Sequence, residues 1–530
     1  MPADPFDDLT QSFLDLRWHL DPVEATAAGL AAYDGRLGRF TAEDTGRHIA
    51  ALRALTGAVE ALEVSEREDA IDQAALLNEL RFTVHRFTTE RPHERDPGFW
   101  IGHLLEGVFL LLVVRDRPEA ARAVALAERL GATPRFLDEA RATLARPPRV
   151  LVELGVRMLA GARVLVEEAA AALPPAGDPT FPDVVASALA AIDQFGRHLA
   201  GLSGEAGDDF AVGEDGFNFR LHFQHALPTT AAELWRYGHR LVEEVEGDIA
   251  RLAAEIEPGT RWQDVLDRLR NDHPSADAVV ESYAAAMRRA RAFVEREGLA
   301  AVPAGELEVM ATPQFLRPMI PFAAYQPPGA CAADRRGLFY VTAPAPGEGR
   351  RALRDHCLHE IPTIALHEGY PGHHLQFLTA QQNPRVLRRV LATPVAVEGW
   401  ALYCEEMMGE QGFFSSPEER LFQRVALLWR ALRVVVDVGL HARGMSFDEA
   451  VRLLDERVHF ERATIEAEVR RYCARPSYQI AYAVGLRELK ALRDDYRSDR
   501  GTAFSLRTFH EDVLRYGGLP ISLARWGMRL

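Results

Sequence analysis

Apolar residues recur at helical spacing through most of this chain. Phe13, Leu14, Leu16 and Leu20 share one helical side, as do Leu76, Leu77, Leu80 and Phe82. From Pro5 to about Leu202 the pattern predicts one amphipathic helix after another, cut at Pro92, Pro97, Pro134 and the Pro147-Pro148 pair. The stretch Leu173 to Pro182 predicts a loop, and the acidic, glycine-rich residues 203–219 a surface connection. Helices resume from Ala231 to Gly298.

The texture changes near residue 301. Residues 307–346 mix β-branched and aromatic residues with prolines, and Leu338-Phe339-Tyr340-Val341-Thr342 is the best strand in the chain. Helical spacing then returns from about Leu353 to Arg497. The expectation is a mainly α protein with a short β-sheet just before a further helical segment. A chain of 530 residues exceeds one small core. It divides into a helical scaffold over 1–300 and a second sub-domain over 301–530, or forms one continuous domain.

Composition narrows the function classes. The formal net charge of −16 disfavours general binding to nucleic acid, whose phosphates would repel it. The four cysteines, Cys331, Cys357, Cys404 and Cys473, form no CxxC pair, which fits a reducing compartment. The first residues are acidic and carry no apolar run, so no secretory signal is expected there. Leu104 to Val114 is apolar but short and contains Glu106, whereas a membrane span needs about 20 apolar residues. A buried helix and a cytoplasmic protein without a membrane partner are expected.

Candidate chemistry concentrates at His367-Glu368-Gly369-Tyr370-Pro371-Gly372-His373-His374. In the zinc-protease pattern HExxH, two histidines at i and i+4 hold one zinc ion and the glutamate activates water. Here the later histidines come six and seven residues after His367. In a regular helix the i+6 position is rotated roughly 120° away, and i+7 lies about 10.5 Å along the axis. Neither can share one ion with His367, so the helix must be distorted. Pro371 removes a hydrogen bond to His367 and crowds its carbonyl, and Gly372 is conformationally permissive. Together they predict a two-residue bulge that brings His373 beside His367.

Three further features support a metal site. The flank Ile361 to Leu366 is apolar, so His367 enters a buried environment. Glu398 follows 31 residues after His367, within a largely apolar run, where a carboxylate is costly unless paired or metal-bound. Gln381 to Pro384 ends one element and Thr393-Pro394 opens the next, which fits a helix–loop–helix between them.

HEGYPGHHLQ with a downstream VEGWALYCEE resembles the bacterial family called domain of unknown function 885, a zincin-like group. The stretch Asp21 to Gly29, the strand Leu338 to Thr342 and Tyr482-Ala483-Val484-Gly485 carry the same resemblance, so it spans nearly the whole chain. A more distant likeness is to thimet-oligopeptidase-like metallopeptidases, which are helical and add a later glutamate ligand. The resemblance implies a large helical zincin-like fold, with 301–530 as the zinc-binding catalytic sub-domain. It favours His373 over His374 as second ligand and Glu398 as third. It also points to Tyr482 as oxyanion stabiliser, from the segment Tyr478 to Gly485, and to Tyr340 and Thr342 as part of an edge strand that binds extended substrate.

The expected site is then Zn2+ on His367, His373 and Glu398, with Glu368 as general base. His374 and Tyr478 are candidates for substrate binding, His374 alternatively for supporting a ligand from behind, and Tyr478 shares a helical face with Tyr482. Glu405, two turns after Glu398 on the same face, either orients a ligand histidine or, the favoured reading, is solvated; the cluster Arg385 to Arg389 is expected to be solvated. His359-Glu360 is a second His-Glu pair with no nearby downstream ligand and is expected to be structural. The expected reaction is hydrolysis of a peptide or small amide. Two other readings stay open: a non-haem iron enzyme using two histidines and a carboxylate, and a non-catalytic binding protein.

Overall fold

A computed structural model describes residues 5–202, 207–317, 320, 322–344, 350–458 and 461–530. The chain forms two compact units, one of residues 1–211 with 329–334, the other of residues 212–328 with 335–530. Residues 212–300, grouped with the scaffold by sequence, therefore pack in the second unit. The cause is visible at Gly238, where an added side chain would meet Val434 and Val435 within 3.1 Å. That glycine lets the helix Ala231–Ile256 lie close against Pro417–Ala442.

The first unit is helical. Its principal helices are α1 (Pro5–Leu20), α2 (Pro22–Ala27), α3 (Ala42–Ala61), α4 (Arg67–His85), α5 (Pro97–Val113), α6 (Glu119–Thr143), α7 (Arg149–Ala172) and α8 (Phe181–Leu202). Asp21 caps α2 by accepting from the Glu24 amide at 2.9 Å, and Pro22 takes the first helical turn, where a missing N–H costs nothing. Pro97 does the same for α5. Pro134, expected to cut the chain, lies inside continuous α6. Leu126, Leu130 and Leu137 are buried on both sides of it, and that packing offsets one lost hydrogen bond. The apolar stretch Leu104–Val113 lies in α5 and is mostly buried, as expected, with Glu106 exposed. No single helix among the described residues is both long and apolar enough to cross a membrane.

The second unit opens with a short helix, Gly213–Phe219, where the sequence predicts only a surface connection. Phe217 is fully buried and anchors that turn; residues 203–206 of the same stretch lie outside the described set. Next come α9 (Ala231–Ile256), α10 (Val279–Arg296) and a sheet of β1 (Glu306–Ala311), β2 (Ala323–Gln326) and β3 (Arg336–Val341). Then follow α11 (Ile361–Glu368), α12 (His373–Gln381), α13 (Pro394–Glu410), α14 (Pro417–Ala442), α15 (Arg462–Ala474) and α16 (Ala481–Arg500).

The sheet order is β1-β3-β2, with β1 parallel and β2 antiparallel to β3. Phe339 and Val341 project from one face of β3 into a core shared with Tyr283 and Met287 of α10 and Ile361 and Ala365 of α11. The sheet thus seats the first motif helix.

β3 is central, which corrects the expected edge strand. Tyr340 is in register with both Met310 and Ala324. The Thr342 amide donates to Phe322 O at 2.8 Å, and its hydroxyl bonds Thr312 and Ile320 O. The backbone around Tyr340 and Thr342 is committed to the fold, so neither is placed to hold substrate by main-chain pairing.

Candidate metal centre

α11 ends at Glu368, and a new helix begins at His373. The predicted bulge is therefore a full break. Residues 369–372 fold back across the end of α11: the Gly369 and Tyr370 amides both donate to Ala365 O, and the Gly372 amide donates to Leu366 O at 3.0 Å. Trp400 Nε1 on α13 holds the Pro371 carbonyl at 2.9 Å. The fold-back is tight enough that a β-carbon on Gly372 would lie 1.9 Å from His367 O and 2.3 Å from Leu366 O. Only glycine permits that approach.

The break brings His373 to His367, with ring centroids 4.8 Å apart and planes nearly perpendicular. Glu398 completes the cluster from α13. Its Oε2 is 3.6 Å from His367 Nε2 and 3.4 Å from His373 Nε2. One donor atom from each of the three residues lies within 4.8 Å of the others. Two donors each 2.0–2.2 Å from one tetrahedral ion stand roughly 3.3–3.6 Å apart, so the histidine–glutamate spacings fit a single ion.

Glu398 is positioned by a close helix crossing. A β-carbon on Gly399 would lie 2.4 Å from Gly485 Cα of α16, and one on Gly485 would lie 2.2 Å from Val395 O. This contact explains the glycines of VEGW and YAVG. It carries Tyr478, just before α16, to Glu398: the Tyr478 hydroxyl donates to Glu398 Oε1 at 2.7 Å. Tyr478, expected to bind substrate, has its hydroxyl committed to the Glu398 carboxylate. Its pKa is raised by burial and then by Glu398.

Glu405 takes the less favoured of its two readings. It is fully buried, and His367 Nδ1 donates to its Oε1 at 2.7 Å. Such a carboxylate fixes the tautomer that leaves Nε2 free for a metal and raises the basicity of the ligand. Its signal was present in the sequence: it lies seven residues after Glu398, on the same helical face, between Cys404 and Met407.

The local field favours a cation. Burial lowers the His367 pKa, but Glu398 and Glu405 outweigh it and raise it to about 9. Burial opposes the charged Glu398, and the two facing imidazoles outweigh that to hold its carboxyl well below the usual range. Glu405→Ala is expected to weaken metal binding by about 10–100-fold, the usual effect of losing a ligand's hydrogen-bond partner. Competition against a chelator measures it, and wild-type affinity would remove Glu405 from the centre.

His374 stands outside the cluster. It is fully buried, with Nδ1 hydrogen-bonded to Tyr325 OH at 2.9 Å and the Tyr370 ring edge-on at 5.2 Å. Burial first, then Arg291, lowers its pKa to about 4, so it is neutral. This corrects its expected contact with substrate: His374 ties α12 to β2. Tyr482 remains at the site, its ring stacked 6.3 Å from that of His367. Burial and Glu398 raise its pKa to about 12, against Arg433 and Arg430. Glu368 closes α11 beside His367 and is partly buried.

Two other expectations resolve simply. His359 Nε2 pairs with Asp272 at 3.1 Å and takes no part in the centre. Arg388, expected to be solvated, is buried, its guanidinium 4.9 Å from the Tyr516 ring centroid.

Fold and site together define a mainly helical protein whose two histidines and one glutamate can hold a metal ion. The chain matches the bacterial family of proteins of unknown function DUF885 over residues 22–528, and it belongs to that family. No curated protein matches it. Two solved structures share the fold. One is a "putative lipoprotein of unknown function" from Shewanella oneidensis, 22% identical, covering 100% of both chains with a TM-score of 0.80. The other is a "putative lipoprotein" from Colwellia psychrerythraea, 17% identical, covering 99% of both chains with a TM-score of 0.84.

Proposed function

We infer that this protein is a zinc-dependent hydrolase of peptide or amide bonds, with a zincin-like site. The observation that carries this reading is the convergence of His367, His373 and Glu398, with Glu405 fixing the first histidine and Glu368 next to it in the chain. Zinc bound there supplies a Lewis acid and lowers the pKa of water towards about 7.

The chain's own residues supply the rest. Glu368 takes the proton of the attacking water and later delivers it to the leaving amine. The Tyr482 hydroxyl is held protonated and donates to the oxygen on which charge develops. Tyr478 and Glu405 keep Glu398 and His367 in place as that charge moves. Each task falls to one group, and no group is asked to perform two at once.

The test begins with protein purified without added metal. One equivalent of zinc is expected, with hydrolysis on a panel of peptides and amides that is lost to a chelator and restored by zinc. Glu398→Ala should lose zinc and turnover together. One equivalent of iron and no cleavage of any member of the panel would overturn the reading.

A further inference from the structure

Three arginines lie beside the candidate metal centre of a chain with net charge −16. Arg430 and Arg433 of α14 stand over the Tyr482 ring, at 5.8 and 4.9 Å from its centroid. Arg475 stands over the Tyr478 ring at 5.8 Å. Both tyrosines touch the ligand set, Tyr478 through Glu398 and Tyr482 through His367.

These arginines are not equivalent. Arg433 is engaged by Tyr472 OH at 3.0 Å and Glu468 at 3.3 Å, and Arg471 shares the same Glu468 at 2.6 Å. Arg430 donates only to Ala426 O of its own helix, at 3.2 Å, and its buried Nε has no partner among the described residues. The Glu360 carboxylate feels its charge but stands outside ion-pair distance. Arg475 is exposed and has no carboxylate within 4.0 Å among the described residues. Only Arg430 is partly buried without an ion-pair partner, which costs free energy, and its planar fork matches a carboxylate with two parallel hydrogen bonds.

We propose that Arg430, assisted by Arg475, binds the terminal carboxylate of the substrate, so that the substrates are short peptides with a free C-terminus. This rests on the hydrolase reading above and gives it a substrate class. Tyr482 is the spacer: its ring lies 6.3 Å from that of His367 and 5.8 Å from the Arg430 guanidinium. An extended residue spans about 3.3–3.6 Å, so one to three residues bridge those two steps. Cleavage is therefore expected within three residues of the carboxyl end.

The test uses one peptide sequence in two forms, free acid and C-terminal amide, with the zinc-loaded protein. The acid is expected to show at least about tenfold higher kcat/KM, as befits a charge-assisted pair. Arg430→Met should abolish that advantage, and Arg430→Lys should restore part of it. A second arm uses metal-free protein and calorimetry with 3-phenylpropionate and its amide. Wild type should prefer the carboxylate, and Arg430→Met should bind it about tenfold more weakly or worse. Should Arg430→Met fail to fold, Arg430→Gln carries both comparisons. Acid and amide cleaved equally would overturn the proposal and leave the hydrolase reading intact. If neither peptide is cleaved, the hydrolase reading fails, and the calorimetric arm alone decides whether a carboxylate site exists. Equal binding of 3-phenylpropionate and its amide would reject that site.

Discussion

Glu368→Gln is expected to retain one equivalent of zinc and to hydrolyse its substrate about 10²–10⁴-fold more slowly. The three converging donors are His367, His373 and Glu398, and Glu368 is not among them. It follows His367 in α11, rotated about 100° around the helix from it. An amide keeps the shape and volume of the side chain and removes its ability to accept a proton. The expected signature is a fall in kcat with metal content unchanged. Turnover within a few-fold of wild type would assign the base elsewhere. Loss of zinc in this variant would instead make Glu368 a ligand, and the site would need rebuilding around four protein donors.

Much of the architecture was legible because it obeys local rules. The strand at Leu338–Val341 follows from a run of apolar, aromatic and β-branched residues, and the helix opening at Pro394 and the end of α12 at Gln381 follow from proline placement. The need for a distortion between His367 and His373 followed from helical geometry alone. What stayed hidden was set by contacts between distant segments. No local pattern says that β3 has partners on both sides, since β1 precedes it by 30 residues in register and β2 reverses direction. Nor does the amphipathic pattern change where the two units divide, because helices on both sides bury one face. Glu405 shows the limit: its contact with a histidine is one of two readings, and the solvated one is favoured. A glutamate in a helix is usually solvated, and only the ring of His367 brought in by a different helix makes burial favourable.

The same distinction between local and tertiary cause bears on the linker. Proline and glycine explain why a regular helix stops, yet the structure gives Gly372 a stricter task. Gly372→Ala is expected to lower zinc affinity by more than the 10–100-fold typical of losing a ligand's hydrogen-bond partner, because it displaces a ligand itself. The added methyl would lie 1.9 Å from His367 O, 2.3 Å from Leu366 O and 2.6 Å from His367 C. All three are backbone atoms, so no side-chain rotation relieves the clash. The chain must open between α11 and α12, and His373, the next residue, moves with it. The helices themselves are unaffected by one methyl in the link, so the variant should fold with wild-type helix content and fail at the metal. Chelator competition on Gly372→Ala, His373→Ala and His374→Ala separates the causes. The first two should lose zinc, while His374→Ala should keep it, since that ring faces Tyr325 rather than Glu398. Full zinc affinity in Gly372→Ala would mean that α12 can reach His367 by another path, and the tight fold-back would not be what builds the site.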